Sequence, residues 1–333
     1  MKSARFTGTY PRLGLFAIVA LLPGFVLTGS HHFSTLVFVT IFATVAVSLD
    51  MLLGLAGQLA LGQTALFAVG AYTAAILSTK HGVSPGVTML AAIGAALVIA
   101  VVVSPILRLR GFYFALATLA FVLIVQSVLA NWTNVTGGAS GFVGIGHFSL
   151  FGFTFVTQRS YYLFGAVVLI LAVVTTVHVR QSRFGRALLA IREDQTAAEA
   201  LGISVFWAKM RIWLIAAAFA GLAGVVYAYY LQFISPEQFG LGPAIQVLAA
   251  VVVGGVVSVY GPVVGVLVLW LLPDLFTGIQ NYAILAWGVS LIAFMIFAPS
   301  GIVGSIISGV DRVLFRRDGL PGEDTTFGVR GTQ

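Results

Sequence analysis

Apolar residues in this chain come in long runs broken by charged, Gly or Pro positions, without the strict alternation that a membrane β-barrel requires. The runs near 13–29, 33–53, 59–78, 86–107, 112–130, 161–178, 212–233, 243–258, 262–277 and 282–298 predict helices. Each is close to the roughly 20 residues that cross a ~30 Å hydrocarbon core. Lipid offers no partner to a backbone N–H or C=O, so runs of this kind must close their hydrogen bonds within a helix. The pattern predicts an all-α polytopic membrane protein of about ten transmembrane helices, with both termini on one side.

The basic residues test that count independently. Lys2, Arg5 and Arg12, then Arg108 and Arg110, then Arg180, Arg183, Arg186, Arg192, Lys209 and Arg211, and finally Arg312, Arg316, Arg317 and Arg330 all fall on the side of the termini. Lys80 and Arg159 alone fall on the other. Cytoplasmic connections carry the Lys/Arg excess, so both termini are expected in the cytoplasm, and a miscount of one crossing in mid-chain would scramble the asymmetry. The expected organisation is a cytoplasmic tail at 1–12, a transmembrane domain at 13–304 and a cytoplasmic tail at 305–333. Within it, 131–160 is an outer loop and 179–211 an inner one. The basic start and the apolar run after it have the outline of a signal peptide, but 23–31 offers no small-x-small cleavage pattern, which favours a retained first span. The polar tail with Pro321 is expected to be poorly ordered.

Composition removes several function classes. Hydrophobic residues make up 59% of the 333 and charged ones 8%, where soluble domains run near a quarter charged. The net charge of +7 is spread over the ends of apolar spans, which suits lipid headgroups as partners and not nucleic acid. There is no cysteine, hence no disulfide, thiolate nucleophile or Cys-based metal site. His31, His32, His81, His147 and His178 are scattered without a partner at ligand spacing, so no metal is expected. Neither a Walker lysine nor a His/Asp or Ser/Lys constellation within the spans is present, so no enzymatic chemistry and no bound cofactor are assigned to the chain. Asp50, toward the inner end of the second span, and Asp274, toward the outer end of the ninth, avoid the bilayer centre; interhelical placement and a role in passage both remain open for them.

The most informative stretch is the long inner loop. Phe184, Leu188, Ile191, Ala198 and Leu201 recur at helical spacing, while Arg186, Arg192, Glu193, Asp194 and Glu199 point elsewhere, as in a short amphipathic helix outside the membrane. Thr196 to Glu199 fits a capping box, so a second short helix is expected to start there and to stop at Gly202. A second block, from Gly54 to Tyr72, holds glycines that permit close helix packing or a broken helix, together with Gln58 and Gln63, amides that hydrocarbon penalises. A third, in the outer loop from Asn131 to Gly141, is rich in glycine but lacks the lysine and strand-helix context of a phosphate loop.

These blocks resemble, in order, the M-type permease of branched-chain amino acid ABC importers. Glu199-Ala200 with Gly202 looks like the importer permeases' E-A-A...G signature. The wider run Phe184-Gly185-Arg186-Ala187-Leu188 through Arg192-Glu193 to Ile203 is similar nearly residue for residue. Gly54-Leu55-Ala56-Gly57-Gln58 to Gly70-Ala71-Tyr72 resembles the family's G-x-A-G-Q-x-S-L-G block, with Ala60 where Ser is expected. Thr136-Gly137-Gly138 to Gly141 looks like its T-G-G-x-x-G element, and Ser235-Pro236, Gly254-Gly255, Gly261-Pro262 and Pro299 to Gly304 continue the series. The likeness spans roughly 33–304.

The resemblance implies an ABC importer permease fold in a bacterial inner membrane and a subunit that forms the translocation path for neutral aliphatic, branched-chain amino acids. It implies that Phe184, Gly185, Arg186, Arg192, Glu193, Glu199, Ala200 and Gly202 form a coupling helix docked on a cytosolic ATPase. It also implies that Thr136, Gly137, Gly138 and Gly141 help form the periplasmic mouth. The implied partners are a paralogous H-type permease, two cytosolic ATPase subunits that hold the ATP and Mg, and a periplasmic or lipid-anchored substrate-binding protein. Gln58, Gln63, Tyr72, Thr118, Gln126 and Asn131 are candidates to line the path, with plain packing the alternative for each. Related permeases carry urea, short amides or other amino acids, and such cargo remains open. An ion-coupled secondary carrier is less favoured, because the apolar interiors hold mainly Gln, Ser, Thr and Asn in place of ionisable groups.

Overall fold

The computed structural model describes residues 30–150, 153–256 and 258–275, together with 16–18, 20, 21 and 288. The chain in these parts is mainly helical, and six of its helices are long and apolar enough to cross a membrane. Helices stand over eight of the ten expected runs. The runs at 13–29 and 282–298, both tails and Pro299 to Gly304 lie outside the described residues, the few just named apart.

Helix α1 (Ser30–Ala56) is almost entirely buried from Val37 onward. Its Thr40, Thr44 and Ser48 hydroxyls donate to the carbonyls of Val37, Thr40 and Val45 at 2.8, 2.8 and 2.7 Å, which satisfies them without water. The helix stops at Gly57, whose φ of +67° only glycine adopts readily. Residues 57–62 are not helical, and α2 (Gln63–His81) begins after them. The third apolar run, expected to be helical from 59, therefore starts with a break: of the two arrangements its glycines permit, the second block adopts the broken helix here and close packing further on.

That close packing joins α2 to α8 (Val205–Leu231). A Cβ on Gly70 would collide with the Gly221 backbone, and one on Gly224 with the Phe67 carbonyl. Lipid tails are as apolar as the helices, so association rests on such intimate van der Waals contact. α2 falls outside the six strongly apolar helices because Gln63, Thr64, Thr73, Ser78, Thr79 and Lys80 lower its mean hydropathy, and it packs chiefly on α3 and α8.

Helices α3 (Pro85–Val103) and α4 (Gly111–Asn131) are joined by a 3-10 turn, Ser104–Arg108. They are the least covered: their membrane segments are 28% and 33% buried, against 83% for α1 and 72% for α8. Their outer faces are thus available to lipid or to another subunit. Helix α5 (Gln158–Gln181) packs on α1, and two short helices follow it, α6 (Arg183–Glu193) and α7 (Gln195–Ala200). After α8, α9 (Leu241–Gly254) and α10 (Gly261–Leu275) form a tight hairpin in which Gly254, Gly261 and Gly265 approach backbone directly. At 14 residues α9 rises only about 21 Å, and the 3-10 turn Pro236–Phe239 before it adds to its reach.

Short strands depart from the purely helical expectation, though not within a span. They are β1 (Phe142–Val143), β2 (Ser149–Leu150), β3 (Phe153–Thr154) and β4 (Phe233–Ile234). β1 pairs antiparallel with β4 and β2 with β3, in the registers Phe142↔Ile234 and Ser149↔Thr154. The first pairing fastens the loop after α4 to the end of α8. Two ends of the bundle result. One gathers the α1–α2 break, the α3–α4 turn and the α6–α7 loop; the other gathers the strands and the α2–α3 turn. Eight of the ten Lys and Arg among the described residues lie at the first end, and Lys80 and Arg159 at the second.

Candidate functional site

The loop at the basic end is built by local capping. Ser182 caps α6 by accepting from the Gly185 N–H at 3.0 Å, and a Cβ on Gly185 would collide with the Val179 carbonyl, so the sharp turn out of α5 needs glycine. Asp194 caps α7: its Oδ1 accepts from the N–H groups of Thr196 at 2.7 Å and Ala197 at 3.1 Å. The expected Thr196–Glu199 capping box is therefore corrected: the helix already starts at Gln195, so Thr196 lies inside it and Asp194 is the cap. α7 does stop at Gly202, which adopts a φ of +81°.

Leu188, Ile191 and Ala198 turn inward as the amphipathic pattern implies, and Phe184 packs partly buried against the core. Leu201 does not: it is 80% exposed. It lies past the last full turn of α7, where the chain is already leaving the helical phase. Trp207, 59% exposed, is a second apolar side chain open at this end, and Arg183, Arg186, Glu193 and Glu199 are exposed as well.

Three polar ties connect the loop to the spans. Arg192 Nη1 donates to the Gly54 carbonyl at 2.6 Å, and its stem covers Gly57 at the α1–α2 break. Arg110 Nη2, just before α4, pairs with Glu199 at 3.2 Å. Lys209 Nζ, 3% exposed in α8, donates to Gln195 Oε1 at 3.0 Å, while Gln195 Nε2 donates to Glu199 Oε1 at 3.0 Å. One turn of helix, α7, thereby holds both α4 and α8. Arg108 adds a cation-π contact to Phe206 at 5.5 Å. Asp50 is buried in α1 near this end, in the field of Arg180 and Arg192. The expectation about Asp274 concerns a side chain outside the described residues.

The path candidates separate into two groups. Gln58, Gln63, Tyr72 and Thr118 are buried in the core of the chain. Thr118 is used structurally: its hydroxyl accepts from the Leu61 N–H at 3.2 Å and donates to the Ala115 carbonyl at 2.9 Å, supporting the broken segment. The amides of Gln58 and Gln63 and the Tyr72 hydroxyl have no hydrogen-bond partner among the described residues. Gln126 and Asn131 instead line an open cleft at the end of α4 away from the loop helices. Sequence reasoning missed Glu237, which the 3-10 turn after β4 brings to the same cleft from over a hundred residues away.

At that end the Gly-rich element is compact. Thr136 Oγ1 donates within a network to the Leu129 and Trp132 carbonyls at 2.7 and 2.8 Å and accepts from the Gly138 N–H at 3.3 Å. Gly137, Gly138 and Gly141 take φ values of +76°, +63° and +68°, and a Cβ on Gly141 would collide with the Ile234 carbonyl. Lys80 reaches over from α2 to the carbonyls of Asn134 at 2.6 Å and Val135 at 3.1 Å.

Comparison with known proteins gives a consistent result. The high-affinity branched-chain amino acid transport system permease proteins LivM of Salmonella typhimurium LT2 and of Escherichia coli K12 are each 31% identical to this chain, over 87% of it and 74% of the relative. A probable branched-chain amino acid transport permease protein, LivH, of Methanocaldococcus jannaschii is 27% identical over 71% of the chain and 80% of the relative. No solved structure matches significantly. Residues 32–299 match the family described as branched-chain amino acid transport system / permease component. With its helices long enough to span a membrane and its ordered sequence blocks, the chain belongs to this family, as a transport component of the membrane and not an enzyme.

Proposed function

We propose that the chain is one permease half of an ATP-driven importer for branched-chain amino acids, crossing the bacterial inner membrane about ten times with both termini and the basic end in the cytoplasm. The domain limits follow: tails at 1–12 and 305–333, a transmembrane domain at 13–304, an inner loop at 179–211 and an outer loop at 131–160. The LivM and LivH names of the relatives, and their order of blocks, support this substrate class. Urea, short amides or other amino acids are the alternative cargo of the same machinery.

The observation that carries the reading is the loop pair α6–α7, which exposes Leu201, Arg186 and Glu199 and is tied to α1, α8 and the residue before α4. An ATPase gripping Leu201, Arg186 and Glu199 would move three spans at once. Closure of two ATPase subunits on ATP and Mg would be converted into reorientation of the path between this chain and an H-type permease. Phe184 and Gly185 set the turn, Arg192 and Glu193 end α6, and Ala200 and Gly202 end α7 within that docking element. On the other side, the element Thr136 to Gly141 would meet the substrate-binding protein.

The uncovered faces of α3 and α4 support a second membrane subunit. Reconstitution in liposomes with the paired permease, the ATPases and the binding protein tests the reading: leucine uptake should require ATP inside the ATPase compartment. Uptake driven by an ion gradient with this chain alone would instead establish a secondary carrier.

A further inference from the structure

At the end of the bundle opposite the loop helices, an open cleft of 390 Å³ lies between the last turns of α4 and the 3-10 turn Pro236–Phe239, a size within the roughly 300–1,000 Å³ of ligand clefts. Its lining divides by chemistry. Gln126, Ser127, Asn131 and Glu237 bring polar atoms, and Leu123 and Pro236 are the larger apolar surfaces. Asn131 Nδ2 donates to the Ser127 carbonyl at 2.8 Å and to its Oγ at 3.4 Å, which fixes the amide while its Oδ1 takes no part in these bonds. Gln126 is packed against Gly240, where a Cβ would press on its amide. The Glu237 carboxylate has no ion-pair partner among the described residues.

The other flank of α4 is different. Ala117, Ile124, Val125 and Val128 border a 510 Å³ cleft lined by apolar side chains. Lipid or the apolar face of another membrane subunit suits that flank, whereas an acid and amides facing hydrocarbon would be penalised. α4 therefore presents an oily side and a polar side, and the polar side belongs to water and solute.

Resting on the importer reading, we propose that the Glu237 cleft is an outer subsite that receives the ammonium end of a neutral amino acid on its way into the path. The Glu237 carboxylate, Asn131 Oδ1 and Ser127 Oγ are all acceptors, which matches the donors of an ammonium group. An aliphatic side chain has Leu123 and Pro236 to lie against. Among the described residues no Lys or Arg lines the cleft, so the substrate carboxylate points to its open side. This chemistry favours amino acids over urea and short amides, which carry no cation.

The chain contains no cysteine, so a single Ala139→Cys change in the assembled importer places one thiol in the cleft. Its reaction with cationic and anionic methanethiosulfonates, normalised to a free thiol, should favour the cationic reagent about tenfold through the nearby carboxylate. Glu237→Gln should abolish that preference and Glu237→Asp should keep most of it; millimolar leucine should slow labelling only where the acid is present. Equal reagent preference with Glu237 and with Gln, or labelling that leucine never slows, overturns the subsite. Parallel uptake assays separate the two levels. Parent complex without ATP-driven leucine uptake overturns the importer reading and this proposal with it, while an unchanged KM for leucine in Glu237→Gln overturns the subsite alone.

Discussion

The Arg192 guanidinium donates a 2.6 Å hydrogen bond to the carbonyl of Gly54, and so ties the loop helix α6 to the last turn of α1, just before the chain breaks at Gly57. The two residues are 138 positions apart. Through this bond a helix outside the spans holds one of the last carbonyls of α1, which no helical N–H follows to satisfy, at the edge of the broken segment 57–62.

Glu199 makes the corresponding tie to α4. The Arg110–Glu199 pair is about half exposed, with side chains 57% and 44% accessible, so its contribution to stability is at most about 1 kcal/mol. Glu199→Arg or Arg186→Glu should leave the yield and thermal stability of the purified chain nearly unchanged but reduce ATP-driven leucine uptake about tenfold or more. Exchanging both charges of the pair, Arg110→Glu with Glu199→Arg, should recover part of the loss. Uptake at the parent rate in the single variants would remove Glu199 and Arg186 from the coupling element.

The α2–α8 contact predicts a sharp contrast between two glycines. Gly70→Val drives a side chain into the Gly221 backbone, whereas a Cβ on Gly94 of α3 meets nothing within 4 Å. Overpacking costs typically about 1–3 kcal/mol and more against backbone. Gly70→Val should lose most of the folded protein by fluorescence-detected size exclusion, and Gly94→Val should behave as the parent.

Trp213 Nε1 donates to the Ala100 carbonyl at 3.0 Å and is 2% exposed. Trp213→Phe keeps much of the ring but leaves that carbonyl without its side-chain donor. A loss of about 1–3 kcal/mol is expected, read as a lower midpoint in detergent thermal unfolding. An unchanged midpoint would mean that the carbonyl is satisfied within α3 alone.

Sidedness is open to a direct check. A reporter fused after Arg183 should be active only as a cytoplasmic fusion and one after Gly138 only as a periplasmic one. The reverse pattern would invert the proposed topology.

How much of this was legible in the sequence depends on the kind of interaction. Apolar runs located α1, α3, α4, α5 and α8 because lipid selects composition over long stretches. Glycine after the amphipathic stretch marked the end of α7, since Gly202 takes a φ that other residues avoid. The start of α2 was displaced because hydrophobicity cannot tell a helix from a buried irregular segment such as 57–62. The Thr196–Glu199 spacing places the cap of α7 at Thr196, whereas Asp194, two residues earlier, caps a helix that starts at Gln195. The helical periodicity points Leu201 inward, but the helix ends at Ala200, one residue before it. Pairings such as Phe142 with Ile234, or Glu237 beside Asn131, depend on tertiary closure and leave no local signal.

The most direct test of the central claim is affinity purification of the tagged chain from its native membrane, with mass spectrometry of what remains bound, for the parent and for Leu201→Glu. The account predicts two ATPase subunits and a second permease with the parent, and loss of the ATPases but not of the permease with the variant. A parent chain that purifies alone, and moves leucine in liposomes without ATP, would contradict it.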